Sequence, residues 1–307
     1  MNINTKDIRT KLQELQSLDL NSLSFEDLKQ QIRSGFLPVL FTRISAGNYV
    51  ERVRLNKGIK VFERPSDLSY ITNPEIIRSY GRANAKGSSI FYGAVISSNI
   101  SIPHIVALAE TEELLRSKEK GKQKQVLMTV SRWVIVSDMT LVEMVFSKAA
   151  ILKQQEVKKA YDFQLELLRK DLPEDVVDAF VDLLTFFCDE FAKSNIESDS
   201  DYKLTAALSE VLFEIETIQG IIYPSVRTEL EGSNVALLPA TVDKHLKLEE
   251  VFIVLADIRG ERVYLDTLCR AVGPLGMNNE PFLWELLNPT PEAVKAEFFA
   301  TGRLPEF

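Results

Sequence analysis

The sequence predicts an α+β fold: a mixed or antiparallel β core, interrupted by a long helical insertion and preceded by two short helices. Three observations carry this. Apolar residues recur at helical spacing near the N-terminus and again, with few breakers, from 139 to 219. Alternating and β-branched runs lie on both sides of that block. Between the runs stand clusters of proline, glycine and serine that end regular elements. With 307 residues and 45% hydrophobic content, the chain can bury one large core or two small ones. The expected division is an N-terminal helical cover (1–36), a first part of the core (37–138), the insertion (139–219), and a second part of the core with a C-terminal helix (220–307).

Each element has its own signal. Ile8, Leu12, Leu15 and Leu18 mark the first helix. Ser24, with Asp27 three residues on, opens the second as a variant capping box, and Gly35 closes it. Residues 50–55 (VERVRL) alternate as a strand, 64–74 are loop-like, and 89–97 read as a strand. Ser101 is a candidate cap for a helix from Ile102, with Pro103 in its first turn. The lysine-rich 116–124 read as a solvated loop and 125–136 as a strand. Helices are expected over 139–170, 173–193 and 204–219, with an acidic loop at 197–201. Strands resume at 221–223, 235–238, 251–255 and 262–265, with a turn at 257–261. Thr290, Pro291 and Glu292 form a helix start in the tail.

Composition excludes several classes. The net charge of −8 lacks the basic balance of a general nucleic-acid binder. Two cysteines, Cys188 and Cys269, stand far apart without CxxC spacing, which reads as buried thiols in a reducing compartment. Only two histidines are present, His104 and His245, so a histidine-rich metal centre is not expected, and both read as structural or solvated. The N-terminus lacks the apolar core of a signal peptide and no run is long enough to span a bilayer, so a cytoplasmic protein is expected. No GxxxxGK[ST] or GxGxxG occurs, which argues against a P-loop NTPase, a kinase or a Rossmann dehydrogenase.

Two segments carry chemistry. In 80–93, Tyr80-Gly81-Arg82-Ala83-Asn84 precedes Gly87 and a run ending Phe91-Tyr92. In 220–234, a β-type run stops at Tyr223-Pro224-Ser225, with Arg227 beyond it. An arginine, an aromatic ring and a serine at strand ends can hold an anion and a ribose.

Set in order, these residues resemble the RES domain. Arg52 lies within Glu51-Arg52-Val53-Arg54, Arg82 within the GRAN segment, and Ser225 within Tyr-Pro-Ser, followed by Gly232-Ser233-Asn234. An Ala-x-x-Glu helix fits at Glu110, with Glu112 as the fallback, and Arg43 is an alternative to Arg52. The resemblance covers roughly 48–115 and 218–270. It implies an ADP-ribosyltransferase-like fold and an NAD-consuming site similar to those of bacterial toxin–antitoxin toxins. It also implies catalytic roles for Glu110, Ser225 and Arg52, and NAD contacts from Arg54, Tyr80, Arg82, Asn84, Tyr92, Tyr223 and Asn234. NAD is then a substrate, with no cofactor and no metal. Expected partners are NAD and either an antitoxin-like protein or an ADP-ribosylation target, with self-association left open and no membrane.

The residue chemistry is consistent with this implication. Expelling nicotinamide builds oxocarbenium character on the ribose, which a carboxylate stabilises. Two other readings stand beside it. One is a non-catalytic nucleotide- or protein-binding module in which the extra helices cover the cleft. The other is a serine hydrolase using Ser225 with His104 or His245, which lacks a GxSxG elbow.

Overall fold

The structure, a computed structural model, describes residues 4–35, 37–56, 61–112, 123–260, 262–275 and 279–287. The expected loop at 116–124 lies mostly outside these residues, and the helix start at Thr290 lies wholly outside them. The described residues form nine α-helices and one ten-stranded sheet. The strands are β1 (Phe41–Ile44), β2 (Tyr49–Leu55), β3 (Phe91–Val95), β4 (Gln123–Ile135) and β5 (Met139–Glu143). They continue as β6 (Gly220–Pro224), β7 (Ser233–Leu237), β8 (Leu246–Arg259), β9 (Arg262–Val272) and β10 (Leu283–Leu286). Their order is β1-β5-β6-β7-β3-β2-β4-β8-β9-β10, antiparallel throughout except for the β5–β6 pair.

Chain length forces this sheet to curl. Ile44 and Tyr49 are five residues apart, a reach of at most about 18 Å. In a flat sheet the five spacings from β1 to β2 would need about 24 Å. The link from Ile135 to Met139 is shorter still and crosses the same number of strands. The sheet therefore folds back on itself. Gly47 N–H donates to the Ile135 carbonyl (2.9 Å), Ile135 N–H to Asn48 (2.8 Å) and Ala46 N–H to Asp138 (2.9 Å), pinning the two links together. Gly47 takes φ +89°, which favours glycine at this turn. Apolar side chains from both halves, among them Val50, Phe91, Trp133, Leu141, Val235 and Leu248, fill the concave face.

Helices cover the convex face. The helix α4 (Pro103–Thr111) packs Val106, Ala107 and Leu108 on Val53, Ala94, Met128 and Val130. The other half is covered by α5 (Lys148–Lys153), α6 (Gln155–Asp171), α7 (Glu174–Phe191) and α8 (Lys203–Phe213). Their apolar faces share one core with Val142, Ile221, Tyr223 and Ala236 of the sheet. The N-terminal helices α1 (Thr5–Gln16) and α2 (Phe25–Arg33) lie on this helical layer, with Lys29 bonded to Glu210 (3.0 Å) and Thr5 to Asp175 (2.5 Å). Short helices complete the set: α3 (Pro65–Leu68) and α9 (Pro239–His245).

Ser24 caps α2 as expected, its Oγ accepting from Asp27 N–H (3.1 Å). Other elements differ from the sequence expectation. Residues 139–143 are a strand, not the start of a helix. Thr140 and Val142 are β-branched, and partners on both sides supply the ladder that periodicity alone does not reveal. The helical block thus enters through the sheet and shares its core. Ser101 caps nothing; the Glu51 carboxylate accepts the His104 N–H in its place (2.9 Å). The turn expected at 257–261 begins later, because β8 runs to Arg259 before the bend at Gly260 (φ +62°).

Candidate functional site

Glu110, Ser225 and Asn234 meet at one carboxylate. Glu110 Oε1 accepts from Ser225 Oγ at 2.7 Å and from Asn234 Nδ2 at 2.8 Å. The three come from separate segments: the last turn of α4, the residue after β6, and β7. Ser225 is fully buried and Asn234 nearly so, while Glu110 is half-buried. Asn234 sits opposite both Tyr223 and Ala94 in the sheet, so its side chain points to the convex face beneath α4.

The loop between Ser225 and Asn234 is tightly braced. Ser225 N–H donates to the Gly232 carbonyl (2.8 Å), and Leu230 N–H to the Ser225 carbonyl (2.9 Å). Glu229 and Leu230 adopt φ 54° and 66°, an uncommon left-handed pair that these bonds over-determine. The buried Gln154 donates to Leu230 (2.7 Å) and Gly232 (2.8 Å) and accepts from Ser233 Oγ (3.0 Å). A Cβ at Gly232 would stand 2.5 Å from Val106 of α4. Gly232→Ala should therefore push the helix off the loop, cost about 1–3 kcal/mol and lower the melting temperature; an unchanged melting temperature would contradict this packing.

Helix α4 is held from the other end. Glu51 is buried, and its Oε2 accepts from His104 N–H and faces His104 Nδ1 (2.8 Å). Its Oε1 accepts from Arg132 Nε (3.0 Å) and Nη2 (2.9 Å). Burial pushes this carboxyl up, but hydrogen bonds and charge from His104 and Arg132 outweigh it and hold it below the ordinary range. A carboxylate at the helix N-terminus is also favoured by the helix dipole. Sequence reasoning missed Glu51, although strand alternation places it on the face opposite the arginines that drew attention.

Those arginines form a second cluster. Arg52 leaves β2 toward the concave face, stacks 5.0 Å from the Phe91 ring centroid, and donates to the Tyr92 carbonyl (3.0 Å). Its Nε is buried without a partner. Burial, with Arg54 beside it, lowers its guanidinium to about 9. Arg54 lies over Phe62 and donates to the Asp67 carbonyl. Among the described residues neither arginine has a salt-bridge partner. Arg43, the alternative, is largely exposed and reaches Asp138 at 3.6 Å.

The GRAN segment is organised by Tyr92. Its hydroxyl donates to Asn84 Oδ1 (2.8 Å) and accepts from Ala83 N–H (3.0 Å), and a Cβ at Gly81 would lie 2.2 Å from Asn84 Oδ1. Burial first, and Tyr202 with it, raise the Tyr92 phenol, while the Ala83 N–H, Arg82 and Arg52 oppose the shift. Tyr223 is buried against Phe191 (5.5 Å between centroids); burial, then Tyr92 and Glu110, raise its phenol. Tyr80 stacks on Phe25 of α2 (5.3 Å). Arg82 was expected at an anion. Here it donates to the Phe191 and Lys193 carbonyls at the end of α7, beneath the Tyr202 ring.

Glu112 does not join Glu110. It is fully buried and paired with Lys124. The other groups weighed for catalysis are placed in the fold. His245 is buried between Ser137 (2.8 Å) and Gln219 (2.6 Å), His104 is bound to Glu51, and neither histidine is hydrogen-bonded to Ser225. Both cysteines are free and buried. Among the described residues no cluster suited to a metal and no helix long and apolar enough to cross a membrane occurs.

A buried serine and asparagine converging on a half-buried glutamate of one helix, over a mostly antiparallel mixed sheet, define the site. The RES domain family model matches residues 138–258, and the chain carries a RES domain. The matched stretch holds Tyr223, Ser225, Asn234 and the helical block, and leaves out Arg52, Arg82 and Glu110. No curated protein matches the chain.

Proposed function

We propose that the protein cleaves NAD at the nicotinamide glycosidic bond, by hydrolysis, phosphorolysis or ADP-ribosyl transfer, on an ADP-ribosyltransferase-like core. The single observation that carries this is the Glu110 carboxylate, fixed by Ser225 and Asn234 from the far side of the sequence. The scissile bond breaks with its electron pair leaving on the nicotinamide nitrogen. The ribose is left as an oxocarbenium, which Glu110 stabilises until water, phosphate or a protein side chain attacks. Ser225 donates its hydroxyl proton to the carboxylate in a hydrogen bond, which suits a positioning hydroxyl. Arg52 and Arg54, which have no salt-bridge partner among the described residues, offer the pyrophosphate a charge-assisted contact where β2 and β3 part beyond the Glu51–Ala94 pair and Arg52 bonds the Tyr92 carbonyl. A toxin role in a bacterial cytoplasm is the biological setting of this reading.

A non-catalytic nucleotide- or protein-binding module is the second reading, favoured by the burial of Arg82 under α7. Incubating the purified protein with NAD separates the two. Nicotinamide release supports cleavage; tight nucleotide binding by calorimetry with no release supports the module.

A further inference from the structure

The segment that covers the GRAN turn is unlike an ordinary connection. Between Asp189 and Tyr202 the chain carries five carboxylates and one lysine, while residues 78–88 carry Arg78, Arg82 and Lys86 and no acid. The two are pressed together. Asp199 Oδ2 accepts from Lys86 Nζ (3.0 Å) and from Tyr80 N–H (3.3 Å). The Lys86 side chain and the backbone donor lower the Asp199 carboxyl. The Phe191 and Lys193 carbonyls take the Arg82 guanidinium, and the Tyr202 ring lies 5.1 Å from it. Each is a contact that a phosphate oxygen or a flat base would make with the same groups.

We propose that residues 192–202 are an autoinhibitory strap that occupies the anion position of the GRAN turn, so that an anionic nucleotide must displace Asp199 and the Lys193 carbonyl to engage Lys86 and Arg82. The inference rests on the nucleotide-handling reading above and deepens it. Geometry ties the strap to the site: Phe191, whose carbonyl takes Arg82 just before the strap, lies with its ring centroid 5.5 Å from that of Tyr223, which stands opposite the Glu110 partner Asn234 in the sheet. The bonds that hold the strap are few and partly exposed. The Lys86 and Asp199 side chains retain 49% and 39% of their accessibility, so the pair is weak enough to yield to a ligand of higher charge.

The test uses ADP-ribose as the probe on the full chain. Amide hydrogen exchange of residues 192–202 should speed up when ADP-ribose is added to the wild type. Asp199→Asn should speed it about two- to five-fold without ligand, the scale of one exposed ion pair, and should tighten ADP-ribose binding by a similar factor. Tyr202→Ala should act in the same direction. Variants that merely loosen the fold would bind more weakly, which would overturn the proposal. So would ADP-ribose leaving the exchange of 192–202 unchanged or slower. If ADP-ribose releases the strap yet no variant frees nicotinamide, the strap stands and glycosidic cleavage falls. If NAD is turned over while the strap is indifferent to ADP-ribose and to Asp199→Asn, the reverse holds.

Discussion

Replacing Glu110 with glutamine should abolish nicotinamide release while leaving the protein folded. The amide oxygen can still accept from Ser225 and Asn234, whose bonds to Oε1 are 2.7 and 2.8 Å, so the local structure persists. What disappears is the negative charge that faces a developing cation. In a site largely shielded from water such a charge is worth roughly 10²–10³ in rate. Glu112→Gln provides the contrast. That carboxylate is fully buried against Lys124, so its loss should lower stability and leave the activity of the folded fraction near the parent value. Nicotinamide release followed by chromatography, beside a melting curve for each variant, checks both. Equal activity of Glu110→Gln and the parent would remove Glu110 from the mechanism.

Glu51→Ala should be the most destabilising single substitution near the site. It strips Arg132 and the first turn of α4 of the carboxylate that satisfies both. Removing one partner from a buried ionic network typically costs about 3–5 kcal/mol, or roughly 5–8 °C in melting temperature for a chain of this size. Its pH dependence has a definite sign. The Glu51 carboxyl is held below its ordinary value of 4.5 in the folded protein. Its contribution is therefore fully present above that value and is lost as the pH falls through the lower folded one. Melting curves between pH 7 and pH 3 should show the parent losing its advantage over Glu51→Gln only below about pH 4.5. A constant difference across that range would contradict the assignment.

The placement of Glu51 shows why some of the site was hidden in the sequence. The run Glu51-Arg52-Val53-Arg54 reads clearly as an alternating strand, and β2 is that strand. Alternation says that Glu51 and Arg52 point to opposite faces, but not which face meets α4. That depends on the Glu51–Ala94 pairing and on the curl of the sheet. Residues 139–143 failed for a related reason. Five residues are too few to separate a helix turn from a strand, and their partners lie in β1 and β6, the latter nearly eighty residues away in the chain. Gln154 had no signal at all, because its role is to bond the carbonyls of a loop it meets only after folding.

The sequence by itself determined the α+β class, the two helices at the N-terminus with their Ser24 cap, and most strands around the helical block. Those features rest on local chemistry: period, capping and turn residues act within a few positions. It also supplied the resemblance to the RES domain. Tertiary structure alone decided that Glu110 and not Glu112 meets Ser225 and Asn234. It alone sent Arg82 to the end of α7 and set Arg52 on the face away from α4. Each of these is a contact across more than a hundred residues or across a curled sheet. Such contacts depend on which buried groups can satisfy one another once the core has closed.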